Sequence, residues 1–290
     1  MLKFLVLILL STALSLVVSE NYFYGLNYGI NQNACPSYET IKAEFTQIKK
    51  YTNRVRTFSL SVCNEGALAL QAANELGMNI YLGMWIDRPD TFDAEMAALK
   101  AILANSQQES LNKVDALIVG SEVLYRKDTD ANSLANYIGT VRNLVKPKGI
   151  SVTTADVYYE FPPVVVENLD FLMMNAFPYW EGVTAGQGAS TLMAHYDSVV
   201  QKANGKPVRI SETGWPSSGG NFGASVASPA NQKLYLSNVL CVTRQRNIDL
   251  VYFSARDEPY KAGVEAYWGV MYSNFTLKSN LPTTLLANPC

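Results

Sequence analysis

Short runs rich in β-branched and aromatic residues recur along the chain, separated by longer stretches whose apolar residues repeat at helical spacing. Eight runs are predicted strands: 23–28, 54–58, 79–84, 116–120, 151–155, 171–175, 208–211 and 250–254. Between them, Tyr38, Ile41, Phe45 and Ile48 share one helical face, as do Leu134, Ile138, Val141 and Val145. Helices are also expected over 93–103, 191–203 and 229–246, the last with Pro229 in its first turn. The fifth and eighth helices are the weakest, because little room follows Leu169 and the last strand runs into loop-like sequence. Strands alternating with helices imply a parallel sheet, and eight units in about 270 residues fit a closed (β/α)₈ TIM barrel forming one domain. A doubly wound sheet would usually carry a nucleotide fingerprint. The glycines of GWPSSGGNFG at 214–223 have the wrong spacing for one and read as a loop.

Composition adds constraints on location and partners. With 23 Lys plus Arg against 25 Asp plus Glu in 290 residues, the net charge is -2, and no basic block offers a nucleic-acid face. Residues 1–19 read as a cleaved export signal, with Lys3, an apolar run and small residues Val17 and Ser19 before the cut. The barrel domain is then 20–290, secreted and free of the membrane after signal removal, with a monomer expected. In an oxidising compartment Cys35, Cys63, Cys241 and Cys290 make two disulfides with three possible pairings. Cys35 with Cys63 and Cys241 with Cys290 keeps each bridge within one end of the chain. None has metal-site spacing, and neither metal nor cofactor is expected. Asn274-Phe275-Thr276 is a glycosylation triplet.

In a barrel the strand tips carry the site. The fourth strand ends VGSEVLYR (119–126), the seventh ISETGWPS (210–217) and the eighth FSARDEPYK (253–261), so Glu122, Glu212, Asp257 and Glu258 are expected on one rim. Two carboxyls roughly 5 to 5.5 Å apart across a sugar ring can run retaining glycoside chemistry, one as nucleophile and one as acid then base. Arg56 and Lys261 are candidate cations to hold the nucleophile. Aromatics crowd the same tips: Tyr28, Trp85, Tyr125, Tyr158, Tyr159, Phe177, Tyr179 and Trp180, with Trp215 beside Glu212. Trp85, Trp180 and Trp215 are the expected sugar platforms. His195, the one histidine, lies in a helical run and reads as structural, which leaves no Ser-His-Asp chemistry.

With these residues, the chain resembles the family 17 glycoside hydrolases, β-1,3-glucan-active barrels, and their fungal cell-wall branch in particular. FYGLNYG (23–29), MMNAFPYW (173–180), ISETGWPS and EAYWGVM (265–271) carry the likeness in order. The resemblance implies Glu212 as nucleophile and Glu122 as general acid/base, with Glu258, Lys261 and Glu265 in support. Ser121 stands where related barrel glycosidases commonly have Asn, so contact with the sugar 2-hydroxyl would be weaker or fall to another residue such as Asn175. Tyr125, Trp180 and Glu181 on the acid/base side would hold an acceptor, which implies a β-1,3-glucanosyltransferase of cell-wall glucan. Net endo-hydrolysis, activity on mixed-linkage or β-1,6 chains, and a non-catalytic glucan-binding wall protein are the alternatives.

Overall fold

A computed structural model describes residues 21–290, so the predicted export signal lies outside the described residues. The parallel strands are β1 (Gly25–Asn27), β2 (Arg54–Arg56), β3 (Asn79–Met84), β4 (Val114–Ser121), β5 (Ser151–Val157), β6 (Leu172–Asn175) and β7 (Val208–Glu212). A short hairpin of β8 (Asn221–Phe222) and β9 (Ser225–Val226) follows, and β10 (Val251–Tyr252) is the eighth barrel strand. The sheet runs β10-β1-β2-β3-β4-β5-β6-β7. A parallel bridge between Ile210 and Leu250 joins its two ends, so the sheet closes into the expected (β/α)₈ barrel.

Helices α1 (Tyr38–Ile48), α2 (Glu65–Leu76), α3 (Pro89–Asn105), α4 (Gln108–Leu111), α5 (Ala131–Val145), α6 (Pro163–Val166), α7 (Ala185–Lys202), α8 (Pro229–Gln245) and α9 (Thr283–Ala287) form the outer layer. Their starts follow local chemistry. Ser37 accepts from the Thr40 amide at α1, Asp130 accepts from the Asn132 and Ser133 amides at α5, and Ser228 caps α8 ahead of Pro229. The predicted faces are the buried ones: Ile41, Phe45 and Ile48 on α1, and Leu134, Ile138, Val141 and Val145 on α5. After β5 the helix shrinks to the four residues of α6, and after β10 only short turns and α9 follow, matching the two weak units.

Two apolar layers result. The larger lies between strands and helices; the smaller fills the barrel interior with Tyr81, Ala116, Ile118, Ala155, Phe171, Met173 and Val251. The bridges are Cys35–Cys63, which ties the loop after β1 to the turn before α2, and Cys241–Cys290, which pins the C-terminus to α8. Among the described residues no helix is long and apolar enough to cross a membrane. Asn274 is exposed.

Candidate active site

The end of β4 is bent to aim Glu122. The pairing of β4 with β5 slips between Ile118 and Ser121, and both Gly120 (φ 79) and Glu122 (φ 58) adopt left-handed backbone. A Cβ at Gly120 would meet Val123 at 2.5 Å, so glycine is required there on both counts. Glu122 donates its amide to the Ala155 carbonyl at 2.8 Å, and the next turn is fixed by Asp156, whose Oδ2 accepts the Leu124 amide at 3.0 Å. Burial pushes the Asp156 carboxyl up to about 7. At β7, Gly214 allows the chain after Glu212 to lie against β10, where a Cβ would sit 2.2 Å from the Phe253 carbonyl oxygen.

These tips bring the two predicted carboxylates onto one amide. Asn175 Nδ2 lies 3.1 Å from Glu122 Oε1 and 3.0 Å from Glu212 Oε1, and its Oδ1 accepts from Ser211 Oγ at 2.6 Å. Arg56 Nη1 donates to Glu212 Oε1 at 2.5 Å and to Asn27 Oδ1 at 3.0 Å, while Nη2 donates to Ser121 Oγ at 3.0 Å. Ser121 Oγ in turn reaches Glu212 Oε1 at 3.3 Å. Asn27 Nδ2 donates to carbonyls of Ser211, Val251 and Tyr252. Arg56, Ser121 and Asn175 all reach Oε1 of Glu212, and among the described residues no donor bonds its Oε2. Burial, and then the charge of Glu212, raise the Glu122 carboxyl above its ordinary range, against the pull of Asn175, Arg126 and Arg56.

A groove runs across the pair. One cavity of about 280 Å³ is lined by Phe58, Trp85, Glu258 and Lys261; another of about 570 Å³ is lined by Tyr125, Tyr158, Trp180 and Trp268. Glu122, Glu212 and Phe253 belong to both. The arrangement offers a buried acid, a carboxylate held through one of its oxygens, and aromatic walls on either side.

Of the predicted residues, Trp85, Tyr125, Asn175, Trp180, Glu181, Glu258, Lys261 and Glu265 meet at this groove. Lys261 Nζ pairs with Glu258 Oε2 at 2.6 Å, and Glu265 Oε2 accepts from Trp268 Nε1 at 3.1 Å. Three aromatics expected to touch sugar are instead buried behind the walls. Trp215 is 0% exposed, wedged between Tyr179 and Tyr235, with Nε1 donating to the Val226 carbonyl. Tyr179 gives its hydroxyl to the Gly220 carbonyl and Tyr28 gives its own to Glu44. Asp257 also leaves the rim, pairing with buried Lys278 at 2.8 Å. Arg56 lies under the groove floor and reaches it through Glu212 and Ser121. His195 Nε2 meets both oxygens of Glu181 at 2.8 and 2.9 Å and its ring stacks on Tyr158, so a structural histidine also orients a groove residue. Sequence reasoning missed Phe253, Trp268, Asn27 and Asp156. Phe253, Trp268 and Asn27 stood inside the quoted segments FSARDEPYK, EAYWGVM and FYGLNYG, which were the available signal; Asp156 stood in none.

A family model described as the BtgE/BtgC glycoside hydrolase domain matches residues 25–269. A glucan 1,3-beta-glucosidase of Schizosaccharomyces pombe is 34% identical, across 86% of this chain and 83% of that protein. A glycoside hydrolase family 17 beta-1,3-glucanosyltransferase from Rhizomucor miehei is 63% identical, with TM-score 0.89 over 93% of this chain and 99% of that one. An active-site mutant of the Rhizomucor miehei beta-1,3-glucanosyltransferase, in complex with laminaritriose, is 64% identical with TM-score 0.88, covering 90% of this chain and 97% of that one. The chain therefore belongs to the BtgE/BtgC glycoside hydrolases, as a fungal member of glycoside hydrolase family 17.

Proposed function

We propose that this chain is a retaining β-1,3-glucan transglycosylase. Glu212 Oε2 attacks the anomeric carbon while Glu122 gives its proton to the departing glycosidic oxygen; Glu122 then takes a proton from the sugar hydroxyl that displaces Glu212. The observation that supports a retaining course is the single Asn175 nitrogen bonded to both carboxyls, at 3.1 and 3.0 Å. One bridging nitrogen holds those two oxygens within about 6 Å of each other, a close approach that favours a retaining pair over an inverting pair, whose carboxyl groups stand roughly 6.5–9.5 Å apart to admit water. The choice of β-1,3-glucan rests on the family and on the laminaritriose complex of the Rhizomucor miehei relative.

Transfer over hydrolysis is favoured by the second cavity, where Trp180 is 43% and Tyr125 50% exposed and free to stack an acceptor ring. Chromatography of products from laminaripentaose alone tests this: chains longer than the substrate are expected, and only shorter ones would make the enzyme a hydrolase. Trp180→Ala should raise the hydrolysis-to-transfer ratio, and an unaltered ratio would count against an acceptor platform. Export and action on cell-wall glucan belong to the same reading, supported by the leader-like residues 1–19 and the two disulfides; a monomeric state is proposed with them.

The raised carboxyl of Glu122 gives this reading a pH signature. A general acid must hold its proton, so activity persists above the ordinary carboxylate range and falls as pH rises through the elevated value. The alkaline limb of the kcat/KM profile should vanish in Glu122→Gln assayed on an activated aryl glucoside. A limb unchanged in that variant would assign it to another group.

A further inference from the structure

We infer that Glu65 is a specificity-determining residue on the donor side of the groove, hydrogen-bonding a hydroxyl of the glucosyl chain bound in the cavity beside Trp85. The inference deepens the glucan reading and rests on it. Glu65 opens α2, two residues after the Cys35–Cys63 bridge, and lines the same cavity as Glu122 and Glu212. It is 2% exposed, and its Oε1 has no hydrogen-bond partner among the described residues. A buried polar oxygen left unpaired is costly, and a sugar hydroxyl is the kind of group that would complete it.

The contrast with Glu95 is instructive. That carboxyl is also buried, on α3, yet it takes Ser59 Oγ at 2.5 Å, Ser61 Oγ at 2.7 Å and the Leu60 amide at 2.7 Å. The protein supplies a full set of donors to Glu95, whereas at Glu65 only backbone amides of Ser59 and Phe58 approach the carboxyl. No ion pair among the described residues involves Glu65. The ionisable groups around it are Glu95 from α3, Glu258 from the loop after β10 with its partners Lys261 and Tyr260, Tyr28 just after β1, and Glu122, Arg126 and Glu212 from the ends of β4 and β7 lining the same cavity. Burial, with the charges of Glu95 and Glu258, pushes Glu65 up to about 8. At neutral pH the group is an uncharged acid, able both to donate to and to accept from a hydroxyl.

The test compares the full chain with Glu65→Leu and Glu65→Gln on laminaripentaose, with an aryl β-glucoside that reaches only the position beside the scissile bond. Glu65→Leu should raise KM for laminaripentaose by about tenfold, the size of one hydrogen bond lost in a buried site, and affect the aryl glucoside less. Glu65→Gln, of the same shape and uncharged, should match the parent at neutral pH. As pH passes about 8 the parent's KM should climb while that of Glu65→Gln stays level. Unaltered KM in Glu65→Leu, or superimposed KM–pH curves for parent and Glu65→Gln, overturns the inference. The second comparison decides alone if the leucine variant does not fold. A parent inactive on laminaripentaose overturns the glucan reading and this inference together; an active parent with unaltered variants overturns this inference only.

Discussion

Glu212→Gln should reduce turnover of laminarioligosaccharides by roughly 10⁴-fold or more, the scale of losing a nucleophile from a cooperating set. The amide keeps the shape of the side chain and leaves an oxygen for Arg56 Nη1, so thermal unfolding should show a folded protein. Glu122→Gln should cost about 10²–10⁴-fold on the same substrate, the range for a lost acid/base group. An aryl glucoside with an acidic leaving group separates the two roles, because its departure needs no proton. Glu122→Gln should still form the glycosyl-enzyme on that substrate and stall there, visible as a burst and as added mass on the protein. Glu212→Gln should show neither. Substantial turnover by Glu212→Gln on either substrate would falsify the assignment.

Arg56→Met is expected to damage both stability and rate. The guanidinium is 1% exposed and paired with a Glu212 side chain that is 9% exposed. Removing one partner of a buried pair leaves an uncompensated charge, at a cost of about 3–5 kcal/mol, which for a domain of this size lowers Tm by roughly 10 °C. The nucleophile also loses its 2.5 Å anchor and, through Ser121, the link to the strand that carries Glu122. A misplaced nucleophile should lower kcat by about 10²-fold. The double variant Arg56→Met with Glu212→Gln removes the orphaned charge, so much of the lost Tm should return while activity stays absent. Equal Tm in the parent and Arg56→Met would show that the pair contributes nothing to the fold.

The barrel was legible because its strands are written as compact β-branched runs and because α1 and α5 carry narrow apolar stripes. Helix α2 was not singled out: EGALALQAANEL buries Gly66, Ala69, Leu70, Ala72 and Ala73 around much of its circumference, so no stripe stands out. The site was legible at the level of which residues follow which strands, and this placed Glu122 and Glu212 together. It did not reveal which way a loop residue turns. Trp215 follows a glycine pressed against the Phe253 carbonyl, and the ring is carried into the layer beside Tyr235 instead of the groove. Trp268, far along the chain on the loop after β10, turns to line the groove. The shared Asn175 amide was equally hidden, since it depends on register slips at the ends of both β4 and β6.

Asn27 bears on how the molecule opens. Its amide nitrogen grips carbonyls on both sides of the seam where β7 meets β10, and its carbonyl oxygen holds Arg56. Parting that seam and loosening the guanidinium are thus coupled through one side chain. Local opening there would loosen the grip on Glu212 even with the other strands still paired, so the joint between β7 and β10 carries both the closure of the ring and the set of its nucleophile.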